Sequence, residues 1–301
     1  MLVSKENSVK IEGILSEIDL KLGSYVKDGK TVENVGGSIK VRVNQLLNGE
    51  NVELDIPVYL FANKYTNKGT SNPAYESISR VMNEFVSIAA GGIEKADKIR
   101  ITNANIRMNE YYGQTGNLNS YPRINASFVT KITDDTKYAP EATFSVIFVI
   151  GNMGYDTDKD GVENPNRFKI RGILPQYGGS VDVIDFYATT PSVIEAVSSY
   201  WNQGDTVKIN GKLNFTSTVE EKTVEVDFGE PRIERRTVSV SELIITGGSQ
   251  TPLEGDFAYN QDEIHEALDA RQARLAEMKE KANKKETTKT APKKGFNDLG
   301  F

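Results

Sequence analysis

The sequence predicts a mainly β protein built from two tandem five-stranded units, each with one helix lodged between its third and fourth strands. Three observations predict it. Apolar and polar residues alternate over stretches of strand length, most clearly in Glu50 to Asn63, where Val52, Leu54, Ile56, Val58 and Leu60 share one face. Helical spacing of apolar residues occurs in only two short internal stretches and one near the C-terminus. The order strand, strand, strand, helix, strand, strand is also read twice along the 301 residues, with little identity between the copies.

In the first copy, Val9 to Leu22 alternates loosely between Gly13 and Gly23 and is read as a long, bent strand. The Gly29-Lys30 and Gly36-Gly37 pairs punctuate an expected loop. Ser38 to Leu47 follows with Ile39, Val41 and Val43 inward, and Asn48-Gly49 signals a tight hairpin into Glu50 to Asn63. Tyr75 to Ala90 carries Ile78, Val81, Met82, Phe85 and Ile88 at helical spacing, ended by Gly91-Gly92. Asp97 to Met108 and Tyr121 to Ile132 complete the copy.

In the second copy the strands are Thr143 to Gly151, Arg167 to Leu174 and Val181 to Ala188. A helix opens at Thr190-Pro191-Ser192 with Pro191 in its first turn, and Trp201 is read as a core plug. Thr206 to Phe215 and Pro231 to Ile245 close the copy. Beyond it, Asn260 to Lys285 places Ile264, Ala267, Leu268, Arg271, Leu275 and Met278 on one narrow stripe, expected to pack on the β structure or on a partner. The expected organisation is therefore 1–135, 136–250, a C-terminal helix over 251–285 and a flexible tail over 286–301.

Composition narrows the function classes. With no cysteine, disulfides, thiolate-held zinc and thiol catalysis are excluded, and the one histidine, His265, lies in a polar helical stretch. No run of 18 apolar residues and no export-signal pattern is found, so a soluble protein of the cytoplasm is expected, with no membrane contact. The formal net charge is −6; from Asn283 onward five lysines stand against two acids, a local +3, which leaves −9 on the rest. Any binding to nucleic acid must then rest on a local cationic stripe aided by stacking.

Candidate binding residues are read face by face. Tyr59 and Phe61 lie on the side of their strand that the aliphatic residues do not use, beside Lys40 and Arg42 of the preceding strand. In the second copy the counterparts are Lys169, Arg171 and Tyr187, with the third strands aligned so that Tyr187 falls at Phe61 and Asp185 at Tyr59. Arg107, Tyr111, Tyr112, Tyr121 and Arg123 flank Gly113 and Gly116 in an expected hairpin arm. The matching segment Ser217 to Glu234 is acidic. Cations that track phosphates and rings that stack bases are what a single strand requires.

Other motifs carry less. Asp156 to Gly161 matches the start of a calcium loop, but Arg167 occupies the twelfth position, where a bidentate Glu is needed, so a solvated turn without metal is expected. Gly151-Asn152-Met153-Gly154 is neither a dinucleotide nor a P-loop motif, and no nucleophile–base pair stands out. No enzymatic activity and no cofactor are expected.

The element order is that of the oligonucleotide-binding (OB) barrel. Gly204 to Leu213 resembles the fourth-strand segment of single-stranded DNA-binding proteins, and Ala96 to Ile101 is a fainter copy of it. With its two units and tail, the chain resembles single-stranded DNA-binding proteins of bacteriophage type. The resemblance implies two tandem OB barrels that coat and protect single strands during replication, recombination or repair, with little sequence preference. It also implies docking of partner enzymes by the tail, here Asp298, Leu299 and the terminal Phe301, although the family's acidic run and proline are missing. Two other readings share the sequence: an interaction β-protein of a virus particle, and an RNA-binding OB protein.

Overall fold

The computed structural model describes residues 2–113, 116–158, 160–224 and 232–289, with side chains described outside 217–238 and 284–289. The chain is mainly β. In the first half run β1 (Asn7–Lys27), β2 (Lys30–Leu47), β3 (Glu50–Asn63), α1 (Pro73–Glu84), α2 (Ile88–Gly91), β4 (Lys98–Tyr112), β5 (Leu118–Ala126) and β6 (Thr130–Lys131). The second half has β7 (Glu141–Thr157), β8 (Glu163–Pro175), β9 (Val181–Ala188), α3 (Pro191–Tyr200), β10 (Thr206–Val224), β11 (Arg232–Gly248) and α4 (Gln261–Lys289).

Hydrogen bonding connects the strands into one sheet that folds back on itself twice. One circuit runs β1, β2, β3, β5, β4 and returns to β1; the other runs β7, β8, β9, β11, β10 and returns to β7. Each closes through a short parallel ladder, Val58–Leu60 with Ile124–Ala126 in the first and Tyr187–Ala188 with Ile244–Ile245 in the second. The circuits are joined where Asn7 to Glu12 of β1 pairs antiparallel with Val146 to Glu141 of β7. Beyond Gly13 that edge of β1 passes to β2, starting at Ile14 opposite Arg42.

The local signals explain most elements. Asn48 and Gly49 both take positive φ, 49° and 88°, in the two-residue turn between β2 and β3, and Asp28-Gly29 makes the same turn between β1 and β2. The expected loop at Gly36-Gly37 is instead continuous strand. A Cβ on Gly37 would sit 2.0 Å from the Asp19 carbonyl, so the glycine pair lets β2 press against β1 rather than interrupt it.

The single helix expected over 75–90 is also corrected. Asn72 caps Ala74 and Pro73 opens α1, but the chain turns extended at Phe85. The Val86 amide donates to the Asp97 carboxylate at 2.9 Å and the Asp97 amide to the Val86 carbonyl at 2.8 Å, bonds that compete with a further helical turn.

One apolar core extends through both circuits, and in the second Phe148 stacks on Phe186 with centroids 4.7 Å apart. Trp201 is 4% exposed and donates its indole N–H to the Ser249 carbonyl, as a core plug should. A second cluster lies outside this core, where Ile264 and Ala267 of α4 cover Ile147, Val149, Ile173 and Val181 together with Leu2 and Tyr259. The narrow stripe of α4 therefore packs on the second circuit. Among the described residues no helix is long and apolar enough to cross a membrane.

Gly13 sits where β1 changes partners, and a Cβ there would lie 2.3 Å from the Arg42 carbonyl and within 3 Å of the Val41 and Val43 side chains. Gly13→Ala is expected to destabilise the chain by about 2 kcal/mol, seen as a lower urea midpoint with unchanged slope. A second expectation concerns acid. Burial alone would raise the Glu12 carboxyl, but hydrogen bonds from Arg100 and the Ala139 amide, with the Arg100 charge, hold it below the usual range. The unfolded chain therefore takes up this proton first as pH falls, and the stability Glu12 supplies above about pH 4.3 is lost below it. Glu12→Gln should flatten the acid limb of a stability–pH curve.

Candidate functional site

Sheet register brings the outward residues into rows. In the first circuit one row runs Ser38, Tyr59, Asn125, Asn105 across β2, β3, β5 and β4. In the second the row at the same place runs Lys169, Tyr187, Ile244, Lys212 across β8, β9, β11 and β10. The equivalence follows from the ladders: Leu60–Ala126–Ala104–Val9 closes the first circuit as Ala188–Ile245–Gly211–Phe144 closes the second. Tyr187 thus matches Tyr59 and Asp185 matches Pro57. The alignment of Tyr187 with Phe61 and Asp185 with Tyr59, drawn from sequence, is two residues out of register, because only the cross-strand ladders specify it.

Val9 and Phe144, equivalent to each other, are also paired with each other in the β1–β7 ladder. Antiparallel pairing of equivalent strands relates the circuits by a local two-fold, and a groove of about 890 Å³ opens across it. Its walls repeat the relation: Tyr59 has its counterpart in Tyr187, Pro57 in Asp185, and Met108 in Phe215. Past Tyr59 and Arg123, which line both, the groove meets a hollow of about 500 Å³ that contains Phe61, Asn103, Asn105 and Asn125. Past Arg171 it meets a smaller one of about 220 Å³ with Asn152, Tyr155 and Lys169. The three share walls and form one track over both circuits.

Each central tyrosine carries a guanidinium on its ring. Arg123 of β5 lies 4.7 Å from the Tyr59 centroid, and Arg167 of β8 lies 3.8 Å from that of Tyr187. Burial, followed by the neighbouring Tyr121, pushes the Tyr59 hydroxyl up; burial, followed by the Asp185 charge, does the same for Tyr187. Both rings stay neutral at physiological pH. Arg123 meets no carboxylate among the described residues; its guanidinium reaches the Asn109 amide oxygen at 3.5 Å, and Asn109 donates to the Tyr121 hydroxyl at 2.8 Å.

Most other cations named from the sequence have acidic partners. Lys40 pairs with Glu17 at 2.6 Å, and Arg42 forms two bonds to Asp55. Burial would raise the Asp55 carboxyl, yet the Arg42 and Ser16 hydrogen bonds and the Arg42 charge hold it low. Arg171 grips Asp185 in the same two-bond manner. Lys169 and Arg167 share Asp156, and Arg167 also reaches Glu242 at 2.7 Å. The acid that begins the calcium-like loop is thus occupied by the arginine at its twelfth position.

Of the residues named from sequence, Tyr59, Tyr121, Arg123, Arg171 and Tyr187 line the central groove, Phe61 the first hollow and Lys169 the last. Lys40 and Arg42 stand outside the track on the same face, and Arg107 joins the circuits by its ion pair with Asp182 at 3.1 Å. Tyr111 meets Tyr121 edge-on near the end of the β4–β5 hairpin, with Tyr112 in the last paired position of β4. Asp298, Leu299, Phe301 and the acidic side chains of 217–234 lie outside the described residues. Sequence reasoning missed Asn103 and Asn105, whose alternate spacing on β4 was the available signal, Asn125 on β5, and the place of Arg271 in the groove wall.

A family model described as YorF matches residues 5–281. The chain belongs to the YorF family. No curated protein matches this YorF-family chain. Among solved structures, a deletion mutant of the single-stranded DNA binding protein from Thermus aquaticus is similar, with a TM-score of 0.43 and 12% identity, over 85% of this chain and 97% of that one.

Arg271 enters the groove from α4. It and Arg274 both bind Glu110 of β4, whose side chain is 1% exposed, so the helix that packs on the second circuit is tied to the first. Glu110→Ala would leave both arginines without this partner and is expected to cost about 3 kcal/mol. Glu110→Gln, which keeps a hydrogen-bond acceptor, should cost less, and denaturant midpoints rank the two.

Proposed function

We propose that this YorF-family chain binds single-stranded DNA along the track across its two circuits, and that it acts by holding the strand rather than by catalysing a reaction. In this reading each circuit is an OB-type barrel: five strands in closed order, with a helix between the third and the fourth. The biological role that fits is coating and shielding of single strands during replication, recombination or repair of phage-type DNA.

The observation that carries the reading is the pair of equivalent tyrosines, Tyr59 and Tyr187, on one groove, each with an arginine on its ring and with the 58%-exposed Phe61 beyond. A ring in a groove floor stacks only on a base whose face is uncovered, which an unpaired strand offers and a duplex does not. Charge points the same way. The chain is formally −6 and its facing cations are largely paired with acids, so attraction to the dense charge of a duplex is weak and stacking must supply most of the affinity.

Three measurements test this. In a fluorescence titration at low salt, labelled oligo-dT should bind at least ten-fold more tightly than the same length of duplex; equal affinity, or none for either, ends the proposal. The logarithm of affinity against that of salt should have a shallow slope of about −2, as for roughly three phosphate contacts. Tyr59→Ala with Phe61→Ala should weaken binding by ten-fold or more, since each stacked base is worth about 1–3 kcal/mol, with the thermal midpoint little changed. An unaltered affinity would move the site off this face.

A further inference from the structure

We infer that the hollow beside Phe61 is a base-reading subsite, which takes one nucleobase stacked on Phe61 and reads its edge with the amides of Asn103, Asn105 and Asn125. The inference rests on the binding function proposed above and deepens it: the track tells bases apart in its first circuit, and the second circuit has no matching amides.

The amides are placed and free to do this. Asn105 and Asn125 are paired neighbours on β4 and β5, next in the row after Tyr59, and Asn103 precedes Asn105 by two residues on the same face. Among the described residues none of the three side chains has a hydrogen-bond partner, so each amide can turn toward a ligand in the hollow. Phe61 rests against Gly36, where a Cβ would come within 2.9 Å of the ring, so the glycine makes room for the ring at the mouth of the hollow. An amide offers a donor and an acceptor side by side. Base edges present that same pairing, while a phosphate presents acceptors alone and calls for cations.

The second circuit shows what the alternative looks like. At the places of Ser38, Asn125 and Asn105 it carries Lys169, paired with Asp156, the buried Ile244, and Lys212, whose ammonium donates to the Leu46 carbonyl at 2.9 Å, so no amide stands in this row. The local two-fold gives a reason. A strand that crosses the axis meets the second circuit in the opposite direction, so the base contacts of the first cannot be repeated there. Phosphate contacts are indifferent to that reversal.

The test compares equal-length oligo-dT, oligo-dC and oligo-dA at one low salt concentration, for the natural protein and for Asn105→Ala with Asn125→Ala. The natural protein should spread its affinities over at least about five-fold, the lower end of what one bidentate amide–base pair discriminates. The double variant should contract the spread to within two-fold, with the largest loss for the best ligand and no change in salt slope. Asn103→Ala with Asn105→Ala, both exposed, gives the same readout if substitution at Asn125 harms folding. A spread that survives both pairs of substitutions, or a natural spread below two-fold, overturns the inference. Failure to bind any of the three overturns the binding function itself, a distinguishable result.

Discussion

The six-residue ladder between β1 and β7 is the contact on which the rest of the molecule depends. Equivalent strands of the two circuits pair through it about Val9 and Phe144, and this sets the two-fold that puts Tyr59 and Tyr187 on one groove. Backbone hydrogen bonds in this ladder, where Val9, Ile11 and Glu12 are buried, resist hinging because breaking them would strand donors and acceptors. Buried amides reinforce the joint. Gln45 donates to the Leu213 carbonyl at 2.7 Å and accepts from the Ala142 amide at 3.0 Å, while Asn7 and Gln176 both donate to the Ile106 carbonyl. The groove is therefore a fixed feature of the fold, braced on its far side by the Arg271 and Arg274 clamp on Glu110.

Electrostatics then decides what such a groove can hold. Arg42–Asp55 and Arg171–Asp185 cancel charge in matching two-bond geometry, and Asp182 beside Arg107 is buried enough that desolvation pushes its carboxyl up despite that partner. Along the track, Arg123 lies over Tyr59 without a carboxylate partner among the described residues, beside three amides and an exposed phenyl ring. The binding function proposed above would rest on this arrangement, with stacking and edge contacts ahead of charge.

Legibility in the sequence divides along a physical line. The third strand of each half, Glu50 to Asn63 and Val181 to Ala188, has the bounds that alternation predicts. The turn at Asn48-Gly49 and the helix start at Pro191 are equally local, since backbone sterics at two or three residues decide them. Gly36-Gly37 was misleading because a glycine that breaks a chain and one that admits a close strand look alike until the neighbour is known. The broken helix after Glu84 has the same origin, in a carboxylate eleven residues beyond Val86.

By itself the sequence determined the mainly β character, the twofold recurrence of element order, the outward placement of Tyr59, Phe61 and Tyr187, and the partner-seeking stripe of the last helix. Each depends on periodicity within one segment. Only the tertiary structure decided which tyrosines are equivalent, which cations are neutralised, and that Asn103, Asn105 and Asn125 line one hollow with Phe61. Those facts depend on which strand lies beside which and in what register, and such pairing is an interaction between distant segments that no single stretch encodes.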